Sequence, residues 1–229
     1  MIKIFALIVL PFLLYSKTFI ITGGENNTVQ EIAYRIIEKA YHRAHLNIQP
    51  LYLPLEKSLI FSNSDQSDGE MARIEKITHL YPNLKIVPVN IISAQAVAFS
   101  KNKSLKIKNW NDLKGHRVTV VKGAKFIEKA TQDINTSITY TFEEAFEKLN
   151  NNETEIIVIP KLAGYKMQYV KKYSKIRAVS KSLKTIKLYH FVTKKNSYLI
   201  PILTPILQQM KDSGEMNYIR SSYLNSLVR

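Results

Sequence analysis

The stretch Asn109–Ala130, NWNDLKGHRVTVVKGAKFIEKA, constrains the fold most, because it passes from turn to strand to glycine to helix in one short run. Asp112-Leu113-Lys114-Gly115 reads as a turn, with glycine free to take a positive φ. Val118, Val120 and Val121 are β-branched and nearly continuous, the pattern of a strand covered on both faces. Lys122-Gly123-Ala124 then opens a helix carrying Phe126, Ile127 and Ala130 at helical spacing. A glycine between strand and helix lets a ligand approach the unpaired N–H groups and the positive end of the helix dipole. Many βα units share this pattern and bind nothing.

The remaining chain repeats the theme. Lys17–Ile21 is an expected strand that ends at Thr22-Gly23-Gly24-Glu25. Thr28-Val29-Gln30-Glu31 matches a capping box, with Thr28 as N-cap and Glu31 reaching back. Val29, Ile32, Ala33, Ile36, Ile37 and Ala40 then form one apolar helical face. Ile48–Leu53 is the next strand, so this βαβ start predicts parallel pairing through a right-handed crossover. Further on the sequence predicts a short helix over Leu55–Phe61, a short strand over Glu70–Ile74, and two successive strands, Leu84–Ile92 and Ala94–Phe99. A second βαβ series follows: a strand over Ser137–Tyr140, a capping box at Thr141–Glu144, a buried strand over Glu155–Ile159 and a helix over Lys161–Lys172. Strands at Ile176–Val179 and Ile186–Thr193 and helices around Ile202–Met210 and Met216–Leu227 close the chain. Two βα series joined by extended segments imply an α/β protein of two lobes joined by hinge strands.

Composition excludes several functions. The chain of 229 residues has no cysteine, which removes disulfides, thiolate metal sites, cysteine nucleophiles and a lipid-anchored N-terminal cysteine. Met1–Ser16 has the form of a secretory signal: Lys3, then an apolar run from Ile4 to Leu14, then Ser16 at a cleavage point. That run is shorter than the ~20 residues a membrane span needs; the alternative is an uncleaved N-terminal anchor. The formal charge of +15 becomes +14 once Lys3 is removed with the signal. Export argues against nucleic acid as the reason for that charge. A solvated basic surface or attraction of an acidic ligand or anionic membrane face remains. His42 and His45 have no third ligand in view, and no metal or cofactor is expected. No nucleophile elbow or phosphate loop is present. Tyr165, Tyr169 and Tyr173 recur every four residues, as packing inside a lobe would require.

Four further places, taken with the organising stretch, give the chain a resemblance to the family 3 extracellular solute-binding proteins, the periplasmic receptors of ABC importers. Asp112-Leu113-Lys114-Gly115 through Gly123 is similar to that family's "DLKG-x-x-V-x-V-x-x-G". The exported N-terminus precedes a β–loop–α start. Ser67-Asp68-Gly69 with Arg73 resembles a first-lobe "DG-x-x-x-R" element. Pro82-Asn83-Leu84 through Ile92 resembles the run to the hinge, and Thr141–Ile159 a second-lobe helix and strand.

The resemblance implies a type II periplasmic-binding fold, each lobe a mostly parallel sheet flanked by helices. Its segments would be a signal at 1–16, a first lobe of 17–92 plus 186–229, and a second lobe of 93–185. It implies a periplasmic, monomeric, non-enzymatic binder. That binder would close on an amino-acid-like or other organic anion in a positively charged crevice and deliver it to an ABC permease in the inner membrane. Arg73 would clamp a carboxylate through its planar fork, and Gly123 and Ala124 would donate backbone N–H groups to the same anion. The alternative for Arg73 is an ion pair with Asp68 or Glu70.

Ala124 lacks the hydroxyl that the family often has there. Pro160-Lys161 stands where amino-acid binders often carry an aspartate, which favours an anion over an ammonium. Lys161 would then be an anion ligand or simply an exposed lysine, and Glu25 would face a cation or be solvated. Two other functions stay open: an exported dehydratase-like enzyme, with Glu25 as its acid or base, and a ligand-sensing module for a membrane partner.

Overall fold

The computed structural model describes residues 17–168 and 170–227. The expected signal, Met1–Ser16, and Tyr169 of the tyrosine stripe lie outside the described residues. No helix among the described residues is long and apolar enough to cross a membrane.

The first half builds the expected start. Strand β1 (Thr18–Gly24) leads into α1 (Thr28–Arg43) and returns as β2 (Asn47–Leu53), which pairs parallel to β1 from Thr18↔Asn47 to Gly24↔Leu53. All six apolar positions predicted on α1 are buried. Pro50 fits within β2 because β2 forms one edge of the sheet, where a missing N–H costs no ladder bond. After α2 (Leu55–Asn63) comes β3 (Gly69–Arg73), parallel to β1 on its other side.

The predicted cap on α1 is off by one residue. Asn27, not Thr28, is the N-cap, and its side chain accepts from the Val29 N–H at 3.1 Å. Glu31 does not reach back. It pairs with Lys166 at 2.6 Å and accepts from the Tyr223 hydroxyl.

The two strands expected across 84–99 are one, β4 (Leu84–Ser100). Nothing breaks the run at Ser93. Its ladder shifts register between Ile86 and Asn90 and again between Asn90 and Ile92. Pro88 lies in the first shift, where the ladder has no N–H to use.

The second series follows β4. Strand β5 (Val118–Val121), α3 (Lys125–Ala130), β6 (Thr136–Thr139), α4 (Phe142–Asn150) and β7 (Ile156–Pro160) give parallel β5–β6 and β5–β7 pairs. At α4 the cap is as expected on the threonine side, with Thr141 accepting from Glu144 N–H at 3.1 Å. Helix α5 (Lys161–Gln168) is shorter than predicted, and a 3₁₀ turn follows at Lys171–Tyr173. Gly164 lets α5 lie on β4, since a Cβ there would stand 2.2 Å from the Phe99 ring. The two-residue β8 (Arg177–Ala178) pairs with the end of β4. Strand β9 (Lys184–Thr193) then runs antiparallel to β4 from Ala96↔Lys184 to Leu84↔Thr193. Helices α6 (Ile200–Asp212) and α7 (Glu215–Ser226) complete the chain.

The strand order is β2-β1-β3-β9-β4-β7-β5-β6, with β8 beside β4. Strands β4 and β9 are shared by both ends of this sheet, and the apolar core divides on either side of them. One large cluster joins β1, α1 and β3 to Val87–Ala94, Leu188 and α6. The other joins Ala96–Phe99 to β5, α4 and β7, and takes Leu55 from the first half. The molecule is therefore two-lobed, with β4 and β9 as the connecting strands.

A buried histidine ties the first lobe together. His190 Nδ1 is 2.9 Å from the Glu70 carbonyl and Nε2 is 3.0 Å from the Tyr41 hydroxyl. The carbonyl can only accept, so Nδ1 carries the proton and the tyrosine donates to Nε2. Burial depresses the imidazole from 6.5 to about 4. Between those values the unfolded chain binds the proton and the folded one does not, so stability falls as pH drops through the window, by roughly 3 kcal/mol in all. Denaturant melts of wild type and His190→Gln from pH 7 to pH 4 are expected to show this acid slope in the wild type and its loss in the variant.

Candidate functional site

A small cavity of about 40 Å³ lies where the lobes meet. The first lobe contributes Asn27, Val29 and Gln30 from the start of α1, Leu55 from α2, and Ala72–Ile74 from β3 and its exit. The second contributes Gly123, Ala124, Lys125 and Phe126 from the β5–α3 junction, and Pro160 from the end of β7. Ala94 and Leu188 of the connecting strands form part of the wall. Its lining is mostly apolar with a few polar groups, the composition of a small-solute site, and at this size the lobes must part to admit one.

Arg73, Gly123 and Ala124 are thus brought together, as the sequence predicted, but their donors are already engaged. The Arg73 side chain is 7% exposed and its Nε donates to Glu70 Oε1 at 2.7 Å. Nη2 donates to the Leu55 carbonyl at 2.8 Å and to Ser58 Oγ at 2.5 Å, and Nη1 to the Gly123 carbonyl at 3.4 Å. Glu70 is fully buried, with Thr22 Oγ1 at 2.9 Å and Ser58 Oγ at 3.2 Å as further partners. Burial raises the Glu70 carboxyl above its ordinary value, against the pull of Arg73 and the hydroxyls. Asp68, the other partner considered for Arg73, instead accepts from Ile20 N–H at 2.9 Å, Lys17 at 3.0 Å and Asn196 at 2.9 Å.

Gly123 has φ +90 and its N–H donates to Glu128 Oε1. The Ala124 N–H donates to the Val121 carbonyl at 3.2 Å. The helix behind them, α3, is one short turn and a half, so the dipole available to an anion is small.

The other two expected ligands stand elsewhere. Glu25 is half-buried at the end of β1, its N–H bonded to the Leu53 carbonyl at 2.9 Å, and does not line the cavity. Lys161 opens α5 with its Nζ 5.7 Å from the Tyr165 ring centroid; its neighbour Pro160 lines the cavity and Lys161 does not.

Sequence reasoning missed four residues here. Lys125 lies 2.7 Å from Glu56 of the first lobe and 3.2 Å from Glu128, so it bridges the lobes between two carboxylates. Lys125 and Glu128 were legible as an i,i+3 pair, but Glu56 joins them only through tertiary contact. Gln30 was masked by its place inside an apparent capping box. The cleft therefore differs from the basic crevice expected. Each cation at the cavity faces at least one carboxylate, as low-dielectric surroundings demand. No group of acidic and histidine side chains among the described residues could hold a metal ion.

The lobes also touch through backbone. A Cβ on Gly123 would stand 2.4 Å from the Glu56 nitrogen and 2.6 Å from the Leu55 carbonyl carbon. Glycine is what permits this approach.

No family model matches the chain. A comparison with curated proteins finds no match. Solved structures do match. An arginine-binding protein from T. maritima, in a mutant form, superposes with a TM-score of 0.75 at 15% identity, over 91% of this chain and 95% of its own. A histidine kinase sensor domain described as similar to periplasmic binding proteins gives 0.77 at 13%, over 91% and 96%. An amino acid ABC transporter substrate-binding protein from Streptococcus pneumoniae, bound to L-arginine, gives 0.72 at 11%, over 93% and 96%. At these identities the likeness is one of fold: this chain has the two-lobed α/β architecture of the periplasmic binding proteins.

Proposed function

We propose that the protein is an exported solute-binding protein that holds one small polar or amino-acid-like molecule between a first lobe of residues 17–92 plus 186–229 and a second lobe of 93–185. The carrying observation is the cavity between the lobes, walled by Arg73 on one side and by Gly123 and Ala124 on the other. Lobes joined by two strands close as a hinge, and closure buries the solute. The amino-acid binders of the same fold support this reading. Periplasmic location after loss of 1–16, a monomeric state and delivery to an ABC permease belong to the same proposal. The sensor domain among the structural neighbours supports a second reading, in which the closed form is read by a membrane sensor; co-purification with a permease or with a sensor kinase separates the two. Binding and presentation require no chemistry at the cavity, and Glu25, the one carboxylate considered for a dehydratase, is not part of its wall.

Thermal melts against a panel of amino acids and small organic acids, arginine and glutamine included, test the proposal. A solute at 100 times its Kd is expected to add about 2.7 kcal/mol, or roughly 5–10 °C for a chain of this size. A midpoint unmoved by every solute would refute it.

A further inference from the structure

The positive charge expected at the cavity is concentrated instead at the other end of the second lobe. Strand β4 passes from the cavity wall at Ala94 to its end at Ser100. Just beyond, a surface groove lies between residues 103–108 and 177–181. Backbone ties the two segments together, the Ile107 N–H donating to the Val179 carbonyl at 3.0 Å. Leu105, Ala178 and Val179 line the groove half-buried and pack on the second-lobe core. Lys103, Lys106, Lys108, Arg177 and Lys181 line it too, all exposed, and no carboxylate does.

These cations are uncompensated. None of the five makes an ion pair among the described residues. Asp112, beside Lys108, spends its Oδ2 on the N–H groups of Lys108 at 2.7 Å and Asn109 at 3.1 Å. On the far side of Leu105, Glu155 is shared between His116 at 2.9 Å and Arg117 at 3.4 Å. The chain around the groove is equally one-sided: residues 101–111 hold four lysines and no acid, and residues 156–211 hold no acid at all. Charges of one sign gathered along a groove focus their field and draw counter-charge.

The side chains say what kind of counter-charge. Four of the five are lysine, compact point charges on flexible stems, with no planar fork to grip a single carboxylate or phosphate. Arg177 has the fork, but its Nη1 donates to the chain's own carbonyls, at Ser174 and Ile176. Such a set answers to charge density and not to shape, which suits a fluid layer of anionic headgroups better than a folded acidic partner. We infer that the groove and its rim are a docking surface for an anionic lipid membrane. The second lobe adsorbs by charge alone, since the apolar residues of the groove stay packed on the core, and the cavity at the other end of the lobe is left clear. The inference does not depend on solute binding.

Sedimentation with phosphatidylcholine vesicles, with or without about one-third phosphatidylglycerol, tests it on the chain from Lys17 onward, which holds every described element. In low salt the wild type is expected to partition onto anionic vesicles about ten-fold better than onto neutral ones, or more, and to leave them at about 0.5 M salt, where charge is screened. Lys103→Gln with Lys106→Gln and Lys181→Gln is expected to lose about 100-fold of that partition. The same three lysines changed to arginine are expected to keep it. Lys57→Gln with Lys76→Gln and Lys211→Gln removes equal charge from exposed sites of the first lobe and is expected to lose under about three-fold. All six lysines are exposed, so melting midpoints should match the wild type. Equal partition onto the two kinds of vesicle, equal losses in the two glutamine triples, or binding to poly-L-glutamate in place of anionic vesicles overturns the inference and leaves solute binding untouched.

Discussion

Arg73→Met is expected to destabilise the protein by about 3–5 kcal/mol, the cost of leaving one member of a buried ion pair without the other. Glu70 has no exposed surface, and Arg73 supplies its closest contact, at 2.7 Å. Without the guanidinium the carboxylate keeps only hydroxyl donors, and the Leu55 carbonyl loses its 2.8 Å partner. The effect is read as a fall in the denaturation midpoint without any solute, which separates a structural role from a purely ligand-directed one. Adding Glu70→Leu to Arg73→Met is expected to recover most of the loss. The hydroxyls around Glu70 have other acceptors: Thr22 Oγ1 is 3.0 Å from the Gly69 carbonyl, Ser58 Oγ is 3.1 Å from that of Leu55, and Ser62 Oγ is 2.9 Å from that of Ser58. A double-mutant cycle with no coupling between the two positions would contradict this.

Gly123→Ala is expected to weaken solute binding at least 100-fold, close to 3 kcal/mol. The methyl group would meet backbone atoms of Leu55 and Glu56, which cannot rotate aside as a side chain can. The lobes would have to part there, opening the cavity and stretching the Arg73–Gly123 and Lys125–Glu56 contacts between them. Alanine at φ +90 also carries left-handed strain of about 1–2 kcal/mol. Gly115→Ala supplies the control: its φ is +84, but nothing lies within 4 Å of the added carbon. Both variants should carry the left-handed strain, but Gly123→Ala should lose more stability through the parted contacts, and only Gly123→Ala should lose affinity. Equal affinities in the two variants would mean that lobe contact at Gly123 plays no part in binding.

The fold was legible wherever burial follows a regular period. Ile32, Ile36 and Ile37 on α1 and Val118, Val120 and Val121 in β5 declared themselves by spacing, and their burial bears out that reading. Boundaries were less legible where two residues compete for one role. Asn27 and Thr28 both suit an N-cap, and the sequence does not show that the Asn27 side chain reaches Val29. The continuity of β4 was hidden because Pro88 and Asn90 look like interruptions, whereas the strand absorbs them as register shifts. At the site, Arg73, Gly123 and Ala124 were found by resemblance and do meet around one cavity. Their partners were not foreseen. Glu70 lies three residues from Arg73 and Glu128 five from Gly123, but only burial forces these carboxylates onto donors that a solvated chain would leave to water. Gln30 gave no signal, because an amide on an amphipathic helix is silent until its surroundings are known.

Amide hydrogen exchange, with and without a solute that raises the melting midpoint, tests most directly whether the molecule is held between the lobes. Added solute is expected to slow exchange on both walls at once, around Gln30 and Ile74 in the first lobe and from Gly123 to Phe126 in the second. Protection confined to one lobe, or spread over a surface away from the β4–β9 connection, would contradict it.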